Sequence, residues 1–232
     1  MLSLLRDKKV IFFDVGYTLD KPASGDWMFT SKFLELSGER LRQRGAEEIR
    51  EAREKTIGYL ERHHLVSSVE AECRQFADYY SMINESLDLG LTGAERELIA
   101  RDRTCNMDNY IPYPGVKEVL EILHRTHRLG VLSDTWPSIE QQLVSIGAAP
   151  YLSYRTFSFC IGVFKPDRRL YLDALGKSGV SASEAVFIDD SPRNLDGAAA
   201  LGITPILMAA NPESDVDTPY RKIRDLRELI PD

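Results

Sequence analysis

Short uninterrupted runs of apolar, β-forming residues recur along this chain, and several of them stop at a polar or acidic residue. The runs are Val10–Asp14 (VIFFD), Leu129–Ser133 (LGVLS), Tyr154–Phe159, Ala185–Asp189 (AVFID) and Ile203–Met208; the first, second and fourth have the polar ending. A run without polar alternation predicts a strand buried on both faces, as in a parallel sheet. Helical spacing fills the gaps at Gly115–His127, Ser138–Ile146, Arg168–Lys177 and Arg193–Leu201. Gly130, Gly147, Gly179 and Gly202 stand near expected helix ends, where a left-handed residue closes a helix well. The alternation predicts an α/β fold, and right-handed crossovers make it a doubly wound, mainly parallel sheet. Such sheets carry their chemistry at the carboxyl ends of the strands.

Residues 21–109 break the alternation. They hold long stretches of Glu, Arg, Leu and Ala with no strand-like run, and Phe29, Phe33, Leu34, Leu41, Ile57, Leu60, Phe76, Tyr80 and Ile83 fall at spacings suited to the inner seam of three or four helices. Strand signals precede and follow this segment, so it reads as an insertion. The expected division is a core of residues 1–20 and 110–232 and a helical module of 21–109. The tail from Tyr220 to Ile230 reads as a terminal amphipathic helix.

A net charge of -7 argues against nucleic acid or an anionic membrane as partner, because both would be repelled overall. Cys73, Cys105 and Cys160 are too few and too scattered for a disulfide framework or a zinc site, and are expected to be buried or half-buried free thiols. The apolar run after Arg6, Lys8 and Lys9 meets Asp14 after four residues, which predicts a strand and not a signal peptide. With no run near the roughly 20 apolar residues of a bilayer span, the expected location is the cytoplasm.

If their strands are neighbours, Asp14, Ser133 and the Asp189–Asp190 pair meet on one edge of the sheet. Those strand ends sit in four motifs: FFDVGYTL at Phe12–Leu19, VLSD at Val131–Asp134, FKPD at Phe164–Asp167 and FIDDSPRNLDGA at Phe187–Ala198. In kind and order they resemble the motifs of the haloacid dehalogenase superfamily. The resemblance implies a Rossmann-like core with a helical cap domain inserted after the first motif. It further implies that Asp14 is a nucleophile forming an aspartyl-phosphate, that Thr18 and Ser133 hold the phosphoryl group, and that Lys165 neutralises charge between nucleophile and phosphate. Asp189 and Asp190, with Asp14 and the main-chain carbonyl of Gly16, match the ligands of Mg2+, and Asn194 matches a residue organising the last motif. The implied partner is a small phosphorylated substrate; the oligomeric state is not written in the sequence.

One position departs from the pattern. Most phosphatases of this superfamily carry a second aspartate two residues after the first, as general acid and base, and here Gly16 stands there. Three readings stay open: a phosphatase suited to good leaving groups, a metal-independent 2-haloacid dehalogenase, and a binding protein of little activity. Restoring the acid by Gly16→Asp is expected to speed turnover of poor leaving groups.

Overall fold

The computed structural model describes residues Ser3 to Ile230. In chain order its elements are β1 (Val10–Phe13), β2 (Asp20–Pro22), α1 (Ser31–Leu41), α2 (Ala46–Arg62), α3 (Val69–Leu87), α4 (Gly93–Cys105), β3 (Tyr110–Pro112), α5 (Val116–His124), β4 (Arg128–Ser133), α6 (Ile139–Ser145), β5 (Leu152–Phe157), α7 (Ser158–Ile161), α8 (Arg168–Ser178), β6 (Ala185–Asp189), α9 (Pro192–Ala199), β7 (Thr204–Met208) and β8 (Arg221–Ile223).

Six strands form one sheet in the order β5-β4-β1-β6-β7-β8, every pair parallel. The expected α/β fold is therefore present, and β1 lies at its centre between β4 and β6. Alternate residues of β1 serve the two faces: Ile11 and Phe13 pack with Val119 and Leu120 of α5 and Leu143 of α6, whereas Val10 and Phe12 pack with Leu170 of α8 and Leu195 of α9. Helices on both faces explain why this strand has no polar residue. At Gly130 in β4 an added Cβ would meet the Phe12 ring at 2.8 Å and Tyr154 Cβ at 3.1 Å, so only glycine lets the large ring of Phe12 cross the neighbouring strand.

Helices α1–α4 all lie within residues 21–109, and a ribbon closes the segment. Strands β2 and β3 pair antiparallel, Asp20 opposite Pro112 and Pro22 opposite Tyr110, so the insertion leaves and re-enters the core through two adjacent strands. Side chains accept helix-start N–H groups at Thr30, Ser68 and Thr92. Of the expected seam, Phe29, Phe33, Leu60, Phe76, Tyr80 and Ile83 are buried together and Leu41 is partly buried, whereas Leu34 and Ile57 are exposed on the outer side. The helices are fastened to the core by polar bonds. Ser138 N and Oγ each donate to the Glu72 carboxylate at 2.7 Å, Trp136 Nε1 donates to Gln75 Oε1 at 2.7 Å, and His64 Nε2 meets Ser158 Oγ at 2.6 Å.

Two expectations need correction. The tail is not a helix: β8 extends the sheet and only a 3-10 turn at Leu226–Leu229 follows, because Ile223, Leu226 and Leu229 are drawn into the core under α5. Cys105 and Cys160 are exposed and Cys73 is half-buried, all three free. Among the described residues no helix is long and apolar enough to cross a membrane.

Candidate active site

Parallel pairing of β1 with β4 and β6 brings three carboxyl ends to one edge. Asp14 follows β1, and its N–H donates to Ile188 O at 2.9 Å, which fixes the loop start beside β6. Ser133 is the last residue of β4 and Asp189 the last of β6. The regular strand ends there, so Asp190 turns toward the same place as its neighbour. Carboxylate oxygens of Asp14, Asp189 and Asp190 lie within 4.8 Å of one another.

Lys165, from the loop between α7 and α8, reaches into this group with a buried ammonium 2.8 Å from Asp14 Oδ1 and 2.7 Å from Asp189 Oδ2. Its backbone N–H donates to Asp134 at 3.0 Å. Burial works against the charge of Lys165, but Asp14, Asp189 and Asp134 around it hold the ammonium well above its usual range. The acids are raised as well, which for them favours the neutral form. Burial pushes Asp134 and Asp189 up to about 6 against the pull of Lys165, and burial with the charges of Asp189 and Asp14 pushes Asp190 up to about 7. One cation thus faces four acids, Asp14, Asp134, Asp189 and Asp190. Three of them present hard oxygens to a common point, a donor set that fits a small divalent cation.

Their occupancy separates the acids. Asp189 is the most occupied, accepting from Lys165 Nζ, from Ser191 N at 2.8 Å and from Asn194 Nδ2 at 3.1 Å; the last bond shows Asn194 holding this acid in place. Asp190 accepts from Ser214 Oγ at 3.0 Å, and Asp14 Oδ2 accepts from no described residue. Asp14, Gly16, Ser133, Asp134 and Asp190 line a cavity of about 260 Å³, roofed by Trp27, Met28 and Arg103 of the insertion. Lys165 and Asp189 do not line it; Lys165 bonds to Asp14, which does. Thr18 is fully buried with an unpartnered Oγ1 and does not line the cavity.

Gly16 has a structural reason that sequence alone could not supply. A Cβ there would stand 3.1 Å from Trp27 Cζ2, so the indole occupies the room of a second motif-one side chain. Tyr17, held at φ 55°, packs edge-on against the same indole, 5.2 Å between ring centres. The expectation for Gly16→Asp is revised accordingly. Alone, the substitution must push Trp27 aside and will lower turnover; combined with Trp27→Ala it is expected to raise turnover of poor leaving groups about 10²-fold over Trp27→Ala alone, read from initial rates on an alkyl and an aryl phosphate. Trp27 and Arg103 were invisible as site residues in the sequence, whereas Asp134 ends the VLSD motif and could have been drawn from it.

A family model for haloacid dehalogenase-like hydrolases matches residues 8–202. The phosphoserine phosphatase of Thermus thermophilus is 31% identical over 126 residues, 52% of this chain and 51% of that protein, so the match spans about half of the relative's length. The GMP/IMP nucleotidase of Escherichia coli is 28% identical over 162 residues, 66% of this chain and 67% of its own. Among solved structures, a 2-haloacid dehalogenase from Pseudomonas syringae superposes with a TM-score of 0.64 at 21% identity over 96% of both chains, a likeness of fold. With the family's motifs spread across the matched span and gathered on one sheet edge, the chain belongs to the haloacid dehalogenase-like hydrolases.

Proposed function

We propose that this protein is a Mg2+-dependent phosphatase acting on a small phosphorylated metabolite through an aspartyl-phosphate on Asp14. The observation that carries the reading is the Lys165 ammonium set between Asp14 and Asp189, behind a cavity that Asp14 and Asp190 line. Asp14, Asp189, Asp190 and the carbonyl of Gly16 would hold the ion. When bound, Mg2+ supplies charge neutralisation for the phosphoryl oxygens.

In this reading the free Oδ2 of Asp14 attacks phosphorus, the bond to the alcohol oxygen breaks, and water then cleaves the acyl phosphate to return the carboxylate. Lys165 holds Asp14 Oδ1, so the opposite oxygen points its lone pairs at the cavity while the ammonium offsets the charge gathered there. Ser133 donates to a phosphoryl oxygen from the cavity wall. Thr18, outside the cavity, acts by shaping the loop between Asp14 and Asp20: its N–H donates to Val15 O at 3.1 Å. With Trp27 in place of a general acid, substrates with good leaving groups suit the site best. The helices α1–α4 act as a lid, since Trp27 and Arg103 come from the insertion and the Glu72–Ser138 bonds latch it to the loop after β4. Both curated relatives named above act on phosphate esters by their names, in accord with this chemistry. Free thiols at Cys73, Cys105 and Cys160 suit a cytoplasmic protein.

A panel of sugar phosphates, nucleotides and an aryl phosphate, assayed with Mg2+ and with EDTA, tests the proposal. Phosphate release is expected with Mg2+, to fall at least about 10²-fold in EDTA and to return on adding the ion. Halide release from 2-chloropropionate in EDTA would instead establish the dehalogenase, and no release from any ester would leave a binding protein.

A further inference from the structure

Lys165 and Arg103 are the two cations buried among the described residues, 5% and 7% exposed. They differ in company. Lys165 is paired with two carboxylates, whereas Arg103, in the last turn of α4, is paired with none within 4 Å. Glu72, the acid whose charge bears on it, is fully buried with both oxygens committed to Ser138. The single side-chain hydrogen bond of Arg103 runs from Nη1 to Tyr110 Oη at 2.7 Å, and its Nε is buried without a partner. The guanidinium carbon stands 4.5 Å from the Phe76 ring centre, which fixes the plane of the fork. A buried cation without an anion is costly, and a ligand that brings the anion offsets that cost.

Arg103 lines the same cavity as Asp14 and Asp190. We propose that Arg103 reads a carboxylate on the alcohol half of the substrate, so that the site selects small phosphorylated carboxylic acids; this rests on the phosphatase reading above. The planar fork of arginine matches a carboxylate. Size points the same way: at about 260 Å³ the cavity holds a phosphate with a few carbons, and is smaller than the roughly 300–1,000 Å³ of sites for larger ligands.

The test is a matched pair of esters, 2-phosphoglycolate and 2-hydroxyethyl phosphate, which differ in a carboxylate against a hydroxymethyl group. The wild-type protein is expected to favour phosphoglycolate about 10- to 100-fold in kcat/KM, chiefly through KM. In Arg103→Gln that ratio is expected to fall to about one, and in Arg103→Lys, which keeps charge without the fork, to an intermediate value. Equal rates for the wild-type protein, or a preference that survives in Arg103→Gln, would overturn the inference. Arg103→Gln also removes contacts with Tyr110 and Phe76, so folding is checked by circular dichroism; if that variant does not fold, the wild-type ratio and Arg103→Lys decide. Should neither ester release phosphate, the aryl phosphate of the panel above decides the phosphatase reading, and calorimetry with 3-phosphonopropionate against ethylphosphonate still decides the role of Arg103. Tenfold tighter binding of the carboxylate compound supports it, and equal binding overturns it.

Discussion

Asp14→Asn is expected to fold as the wild-type protein does and to release phosphate at least about 10⁴-fold more slowly, the scale of removing a covalent nucleophile. The amide has the shape of the acid, and the bond that places residue 14 comes from its backbone N–H to Ile188 O, so the loop keeps its position. What is lost is the attacking oxygen. Replacement also relieves crowding, because one of the acids facing a single ammonium becomes neutral, and stability is expected to hold or rise. Initial rates with Mg2+ and a thermal melt read both effects. A residual rate within tenfold of wild type would mean that another group attacks phosphorus.

Lys165→Met is expected to cost both activity and stability. The ammonium is the one cation that the described residues place against Asp14 and Asp189, and breaking a buried pair by removing one partner typically costs about 3–5 kcal/mol. The loss depends on pH. Asp134 and Asp189 already titrate near 6 with Lys165 present, and without it both move higher. A carboxyl whose folded pKa lies above its unfolded value binds more protons when folded, so stability falls as pH rises through that window. The variant is therefore expected to melt lowest above pH 7 and to recover toward pH 5 by more than the wild-type protein, whose raised acids give the same trend more weakly because Lys165 holds them lower. Phosphate release at pH 7 is expected to drop about 10³-fold, comparable to loss of one electrostatic donor at a developing charge. A flat stability difference between pH 5 and pH 8 would show that Lys165 does not compensate these acids.

The core was legible because its strands are buried on both faces: VIFFD and AVFID have no other environment to suit, and their acidic ends fall where the sheet stops. Whether the strands ending at Asp14, Ser133 and Asp189 are neighbours was not legible in the runs themselves, and the sheet order supplies it by setting β1 between β4 and β6. Less was legible where the signal is short or non-local. Strand β2 reads Asp-Lys-Pro, with no apolar pattern, and exists because β3 pairs with it from 92 residues away at Asp20 and Pro112. Strand β8 is three residues in a polar tail. In the insertion, Arg103 looks like any other arginine of a charged helix until Phe76 and Tyr110 close over it. The meaning of Gly16 was out of reach for the same reason, since Trp27 fills its side-chain space from outside the motif.

The central claim is that Asp14, Lys165, Asp189 and Asp190 form one centre for a single divalent ion. Electron paramagnetic resonance counting of bound Mn2+, a stand-in for Mg2+, tests it most directly in the wild-type protein, Asp189→Asn and Asp190→Asn. One ion per chain in the wild type and a clear loss of binding in both variants is the predicted result; binding that survives unchanged in both would contradict it.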